Sequence, residues 1–464
     1  MSLTQIPNEL FEHICTLLCL PDLCSLRLVS RLAAAKATQD HFKSFYKQKH
    51  VDLTRESLEQ FLRQTQSDSL VCLVEDLILV GQKAPTVKQL GDEFMMEEEL
   101  EILRQRKAES DSLRKSGRDV KLLAQSLENL AKSRKYGPLP SLRLEVVVYR
   151  DTAYKRLEPI GGGSWKMIWA EAASTLKTAM SALARSRLAV QQLHVFTDLQ
   201  RCSVASNEIL PAIDANARLD KLSKLAISVS SRIIDETDRD MNRTGDRYDV
   251  VDWSTRPQER DIEVLKQEAS DENNFSGLPR LLALCSNLEE LHVHQYSLTY
   301  HVLQRSDLHL ESYLELVVAM IPFPKLTKLR LQGGTAREQD LVSLVQQQGA
   351  LQDLAMESIA LQPGGSFRAL FEYLGNHFES LFLEDLFEDG RLVYFISEQG
   401  WGHELPPGLP TLTHTEGTNT LHRTSGTRHR RIEYHLPMHR FVGSPEVNNW
   451  RARRGREYGP PEAV

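Results

Sequence analysis

His292 and His294, one residue apart in LHVH, come closest in this chain to a metal-ligand spacing. In a strand both side chains point to the same face, and His301 lies a few residues on. A zinc site, however, takes three or four ligands with a supporting outer shell, and no acidic or Cys partner is placed by spacing. The plainer reading puts Leu291 and Val293 in the core and leaves the histidines on an open face, so no metal or other cofactor is expected. Gly161-Gly162-Gly163-Ser164 precedes WKMIWAEAA, and glycine-rich helix starts do hold phosphates. But no GxxxxGK[ST] is present, and Ser164 serves as an N-cap after an ordinary turn. GxSxG, HExxH, a kinase set and a Cys/His nucleophile pair are likewise missing from the sequence, so no catalytic residues are assigned.

Composition narrows the class. The chain has 464 residues, 41% apolar and 26% charged, enough for more than one structural unit or one long repeat array. A net charge of −7 argues against bulk nucleic-acid binding. The six cysteines form no CxxC pair, and Cys15, Cys19 and Cys24 sit among apolar helix positions, where a reduced thiol acts as a small hydrophobe. No basic-plus-apolar leader or membrane-length apolar run is seen. These features predict a cytoplasmic or nuclear protein with no membrane partner.

The positioning elements come next. In TQIPNELFEHICTLLCLPDLCSLRLVSRL (residues 4–32), Pro7 can open a helix whose apolar residues Leu10, Phe11, Ile14, Leu17 and Leu18 share one face. Pro21-Asp22 breaks it and starts a second helix carrying Leu23, Leu26, Leu28 and Val29, ending near Ser30-Arg31. Such short helices are apolar on two flanks. One flank covers the chain itself and the other calls for a partner.

Beyond residue 50 a template returns: apolar, two variable residues, Leu, one variable, apolar. It reads VEDLIL (74–79), LPSLRL (139–144), VQQLHV (190–195), LSKLAI (222–227), LEELHV (288–293), LTKLRL (326–331), LQDLAM (351–356) and FESLFL (378–383). The alternation predicts half-buried strands, with helix-like stretches at 164–188, 303–321, 335–348 and 365–376 between them, hence parallel strands joined by crossovers. The longer steps between copies need insertions or a missed unit. Two insertions are expected: a charged, helical one at 86–136, two helices meeting near Ser116-Gly117 and projecting from the body, and a loop at 235–276. From Thr411 the composition turns to Gly, Pro, Thr, His and Arg. Residues 401–464 read as a largely disordered tail with basic runs at 428–431 and 451–456, and with Ile432, Tyr434 and Leu436 as one last edge strand. A doubly wound enzyme should show a glycine-rich loop after its first strand, and VEDLILVGQKAP has one glycine.

Ile6-Pro7-Asn8-Glu9-Leu10, Ile14, Asp22-Leu23 and Leu26-Arg27-Leu28-Val29-Ser30-Arg31 resemble the F-box pattern of Leu-Pro-x-Glu-Leu, Ile, Asp-Leu and Leu-x-x-Val-Ser-Arg. Many F-boxes carry a Trp about ten residues past the closing Arg. Phe42 and Phe45 occupy that region here, where a third helix is expected at roughly 34–48. The body resembles the degenerate leucine-rich repeats that often follow an F-box, without the regular Asn or Cys of their consensus; its last two steps, 25 and 27 residues, fall in the repeat range. The expected fold is thus α/β: a three-helix F-box (1–48), an irregular leucine-rich-repeat-like solenoid (49–400) and the tail. The resemblance implies docking on a Skp-type adaptor, and through it a cullin, by Pro7, Leu10, Ile14, Leu18, Leu23, Leu26 and Val29. It further implies that the body holds a protein substrate for ubiquitylation. The alternative is an interaction scaffold without a ligase role. On the solenoid reading Arg143, His194, His292, Arg330 and Phe382 face outward, followed by Glu145, Phe196, His294, Gln332, Glu357 and Glu384. The expected substrate contacts are Arg143, His194, Phe196, His292, His294, Arg330 and Phe382.

Overall fold

The structure is a computed structural model. It describes residues 5–66, 69–83, 97–135, 137–148, 164–197, 199, 202–213, 218–230, 267, 271–296, 323–375, 378–396, 417–424 and 432–436. The 303–321 helix, His301, the glycines of 161–163, the basic runs and most of the 235–276 loop lie outside them.

The chain begins with four short helices, α1 (Asn8–Cys15), α2 (Leu20–Val29), α3 (Arg31–Ala37) and α4 (Asp40–Ser44). The expected third helix is thus two: the Ser30 side chain caps the first, accepting from Ala33 N at 3.1 Å, and the chain re-enters as a new helix at Asp40. A strand absent from the repeat template, β1 (Gln48–Asp52), follows at once, then α5 (Arg55–Thr65).

The template copies are the strands β2 (Asp76–Lys83), β3 (Leu139–Val148), β4 (Val190–Val195), β6 (Lys224–Ser230), β7 (Glu290–Tyr296), β8 (Lys328–Gln332), β10 (Asp353–Glu357) and β12 (Ser380–Glu384). With β1 in front, they pair in chain order and in parallel, the short β5 (Val204–Ala205) adding to β6. Register aligns the template leucines across neighbouring strands: Leu77, Leu142, Leu193, Leu225, Leu291, Leu329, Leu354 and Leu381 form one row. Every copy pairs directly with the next, so the long steps are insertions and no template strand was missed.

Helices lie on the leucine side. They are α6 (Glu97–Lys115), α7 (Arg118–Ser133), α8 (Ser164–Ser186), α9 (Ser206–Ile209), α10 (Gly277–Ala283), α11 (Glu338–Gln347) and α12 (Arg368–Leu374). They share with the leucine row one continuous core from Val51 to Ile432. The charged insertion does hold two helices meeting at Ser116–Gly117, but α7 does not project. Its Leu123, Leu127 and Leu130 are fully buried, and it is the crossover helix between β2 and β3. Arg114, at the end of α6, pairs with the buried Glu171 of α8.

After β8, β10 and β12 the backbone enters the left-handed region at Gly333-Gly334, Ser358 and Asp385. These turns lead into a small side sheet of β9 (Thr335–Ala336), β11 (Ala360–Leu361), β13 (Phe387–Glu388) and β14 (Arg391–Leu392). The tail contributes order. β17 (Thr420–Arg423) closes the main sheet antiparallel to β12, while β16 (Gly417–Thr418) and β18 (Tyr434–His435) flank β15 (Tyr394–Ile396). Tyr434 is therefore in an edge strand, that of a separate three-stranded sheet of β16, β15 and β18. The whole is a mixed α/β fold with a mostly parallel sheet.

Candidate functional site

The N-terminal helices enclose a small core of their own. Phe11, Cys15, Leu23, Ala37 and Phe42 are buried in it, with Ile6, Leu18, Leu20, Leu26, Tyr46 and Leu70 packed around. The Phe42 ring lies at the centre of this core, with the Arg27 guanidinium 4.0 Å above it. Lys36 Nζ donates to Ile6 O at 2.5 Å, and Glu12 Oε1 accepts from His41 N at 2.6 Å, tying the two ends of the unit together.

What this core leaves outside matters more. Among the described residues, the large hydrophobic side chains classed as exposed are Leu10, Leu17, Leu28, Val29, Leu32, Phe45 and Leu73, and all but Leu73 lie in the first 45 residues. Leu28 is 88% exposed, Leu17 78% and Val29 73%. Such a concentration of uncovered aliphatic groups differs from the scattered single exposure of an ordinary exterior. Of the residues expected there, Pro7, Leu10 and Val29 are exposed, and Ile14, Leu18 and Leu26 are half-buried. Leu23 is not at the surface: it is 0% exposed and belongs to the inner core, because α2 turns that side chain toward Phe11 and Phe42. Leu17, Leu28 and Leu32 are exposed beside the expected residues. They are apolar in the sequence, yet the family pattern does not single them out.

The face of the sheet away from the helices carries the second set. Register places Ile78, Arg143, His194, Ala226, His292, Arg330, Ala355 and Phe382 in one row, with His422 of β17 beside Phe382. Phe196 departs from the expectation. β4 ends at Val195, Phe196 turns to φ 60, and its ring lies in the core at 1% exposure. Arg143 is engaged with Asp76, whose carboxylate also accepts from Ser141 Oγ at 2.9 Å and Gln48 Nε2 at 3.0 Å. Burial pushes the Asp76 carboxyl up, but these hydrogen bonds and the Arg143 charge outweigh it and hold it below the usual range. In the adjacent row Glu290 bridges Lys328 at 2.9 Å and Lys224 at 3.4 Å, which keeps its carboxyl ionised more strongly than usual.

His292 is largely buried, and desolvation together with the neighbouring Arg330 lowers its pKa to about 4. It is therefore neutral at physiological pH. His294 is buried, its Nδ1 3.3 Å from Ser228 Oγ. Among the described residues no three His, Cys, Asp or Glu side chains group to hold a metal. Arg330 pairs with Glu357 at 2.7 Å, and the Phe382 ring meets His422 edge-on at 6.1 Å. The six cysteines are free, and burial pushes the Cys285 thiol up to about 12, leaving it inert. Among the described residues no helix is long and apolar enough to cross a membrane.

Residues 3–45 match the family model of the F-box domain. The match covers the four N-terminal helices and stops before β1, so it assigns an F-box domain to that segment and says nothing of the rest of the chain. No curated protein matches the chain.

Proposed function

We propose that this chain is a substrate-recognition subunit of a Skp–cullin–RING type ubiquitin ligase, docking by its N-terminal helices and holding a protein substrate on the body. It performs no bond chemistry itself. It raises the effective concentration of substrate lysines near an activated carrier. The observation that carries the docking half is the uncovered aliphatic set on α1 to α3 and the turn after α1, led by Leu28, Leu17 and Val29, within a matched F-box. Pro7, Leu10, Ile14, Leu18 and Leu26 complete the adaptor contacts, and Leu23 supports them from within.

We read the body as an irregular leucine-rich-repeat-like solenoid. This is supported by parallel strands taken in chain order, helices on one side and a single leucine row. Arg143, His194, His292, Arg330 and Phe382 mark its open face, and His294 lies on the same side but is buried. A reducing compartment, cytoplasm or nucleus, suits six free thiols.

Affinity purification of the full chain with identification of bound peptides tests the assignment. Adaptor and cullin together support it. Adaptor without cullin points to a scaffold role, and neither protein removes the docking reading.

A further inference from the structure

The far edge of the main sheet is closed by the tail. The template strands pair in parallel, but the last of them, β12, is covered by β17, which runs antiparallel to it and comes from beyond the repeat body. Uncovered, β12 is an apolar edge strand, Leu381-Phe382-Leu383, of the kind that pairs with other chains. β17 puts little apolar surface there. Leu421 is its one aliphatic side chain, packed against the core opposite Leu383. Arg423 stands opposite Leu381 and is buried, while His422 stands opposite Phe382 and is exposed. A short strand with a charge turned inward is how natural sheets blunt an edge. Asn419 pins its start: the carbonyl accepts from Asp385 N at 3.2 Å, and Nδ2 donates to Asp385 Oδ1 at 2.6 Å.

We propose that β17 is an edge guard, and that β12, once vacated by it, pairs antiparallel with β12 of a second copy of this chain. The strand complements itself about Phe382. A two-fold axis there sets Leu381 opposite Leu383 on the core side, Phe382 opposite Phe382 on the other side, and Ser380 opposite Glu384. The Asp385–Asn419 backbone bond fixes which groups of β12 face this edge: by strand alternation they are those of Leu381 and Leu383. The two Leu381–Leu383 pairs are then hydrogen-bonded. The rings meet at the position between them, where side chains approach most closely and aromatic pairs are favoured. A second β12 brings two leucines and a ring where β17 brings one leucine. β17 therefore holds the edge because it is tethered beside it, at high effective concentration, rather than because it packs better. The inference is independent of the adaptor and substrate readings.

The test is sedimentation equilibrium of the full chain and of its Leu421→Pro variant, which loses the N–H aimed at β12. Both edges must open for a dimer to form. A rise of about tenfold in the open fraction of each copy therefore raises the dimerisation constant roughly a hundredfold, and that is the expected gain. In the proline background Phe382→Lys sets two ammonium groups opposite each other and should return the chain to monomer. An excess of a peptide of residues 417–424 should do the same by refilling the edge. A proline variant that stays monomeric with an intact urea transition overturns the proposal, as do dimers that survive Phe382→Lys or ignore the peptide. Should the proline variant lose its cooperative urea transition, Asn419→Ala, which removes the side-chain bond to Asp385 and keeps the backbone, is measured in its place against the same outcomes.

Discussion

Leu28→Ala separates a docking role from a structural one. The side chain is 88% exposed in the free chain and belongs to neither hydrophobic cluster. Truncation removes the Cγ and both Cδ carbons, each worth about 0.8 kcal/mol when covered by a partner. Allowing for the small part already shielded, roughly 2 kcal/mol of binding free energy is at stake, a loss of about 30-fold in affinity. The free protein should hardly notice, since exposed substitutions typically shift stability by no more than about 0.5 kcal/mol. Leu23→Ala should do the reverse. It empties a fully buried site in the helical core and should cost about 2–5 kcal/mol of stability. Calorimetric titration of purified Skp-type adaptor, with urea unfolding of each variant, reads both quantities. The reasoning is refuted if Leu28→Ala binds within about threefold of the parent chain, or if it unfolds as readily as Leu23→Ala.

Two further outcomes follow from the body. A Cβ at Gly81 would fall 2.0 Å from Thr175 Oγ1 and 3.1 Å from Glu171 Oε1, so Gly81→Ala should cost about 1–3 kcal/mol by urea midpoint. Because Thr175 Oγ1 is buried without a hydrogen-bond partner, Thr175→Ala should be nearly neutral alone and recover much of the loss in the double variant; additive effects would contradict the packing. His292 has its folded pKa lowered to about 4 from an ordinary 6.5, so it contributes nothing adverse above pH 6.5 and penalises the folded state as pH falls from there to 4. The full difference is roughly 3 kcal/mol. His292→Asn should flatten that part of the stability-versus-pH curve, and an unchanged slope in the variant would place the histidine in water.

Short-range pattern carried much of this molecule. The central leucines of the template are the residues that the sheet aligns, since a half-buried strand must repeat with period two and parallel neighbours must match their apolar rows. The F-box was legible because its two helices are specified by local breaks at Pro7 and Pro21 and by aliphatic spacing. What failed was set by tertiary context. Gln48–Asp52 lacks the Leu-x-apolar signature and is a strand because β2 lies beside it. Phe196 continues the alternation on paper, yet one left-handed residue after Val195 swings its ring inward. Leu122, Leu123, Leu127 and Leu130 are visibly apolar within a charged insertion, but only the packing on α5 and α8 shows that they belong to the core. Leu23 and Leu28 are both leucines of α2, and nothing local says which faces in.

Short backbone and side-chain links join the N-terminal helices to the sheet. α4 ends at Ser44 and β1 begins at Gln48, leaving little slack between the helical unit and the sheet. Lys47 O accepts from both Glu75 N at 2.7 Å and Asp76 N at 2.9 Å, and the Lys47 ammonium pairs with Glu75 at 3.1 Å. Leu70, just before β2, packs into the F-box core beside Tyr46. The helices are thus joined to the sheet by backbone hydrogen bonds and shared apolar contact rather than by a free tether, whose r.m.s. reach would vary with its length. At about 4.8 Å per strand, the seven steps from β2 to β12 place Phe382 roughly 34 Å along the sheet from β2. Under the proposed function this separation is a fixed arm. A partner held on the far strands is kept at one distance from the adaptor, and proximity acts on the lysines that lie within that reach, so the choice of modified residue follows from sheet length as much as from the residues that hold the partner.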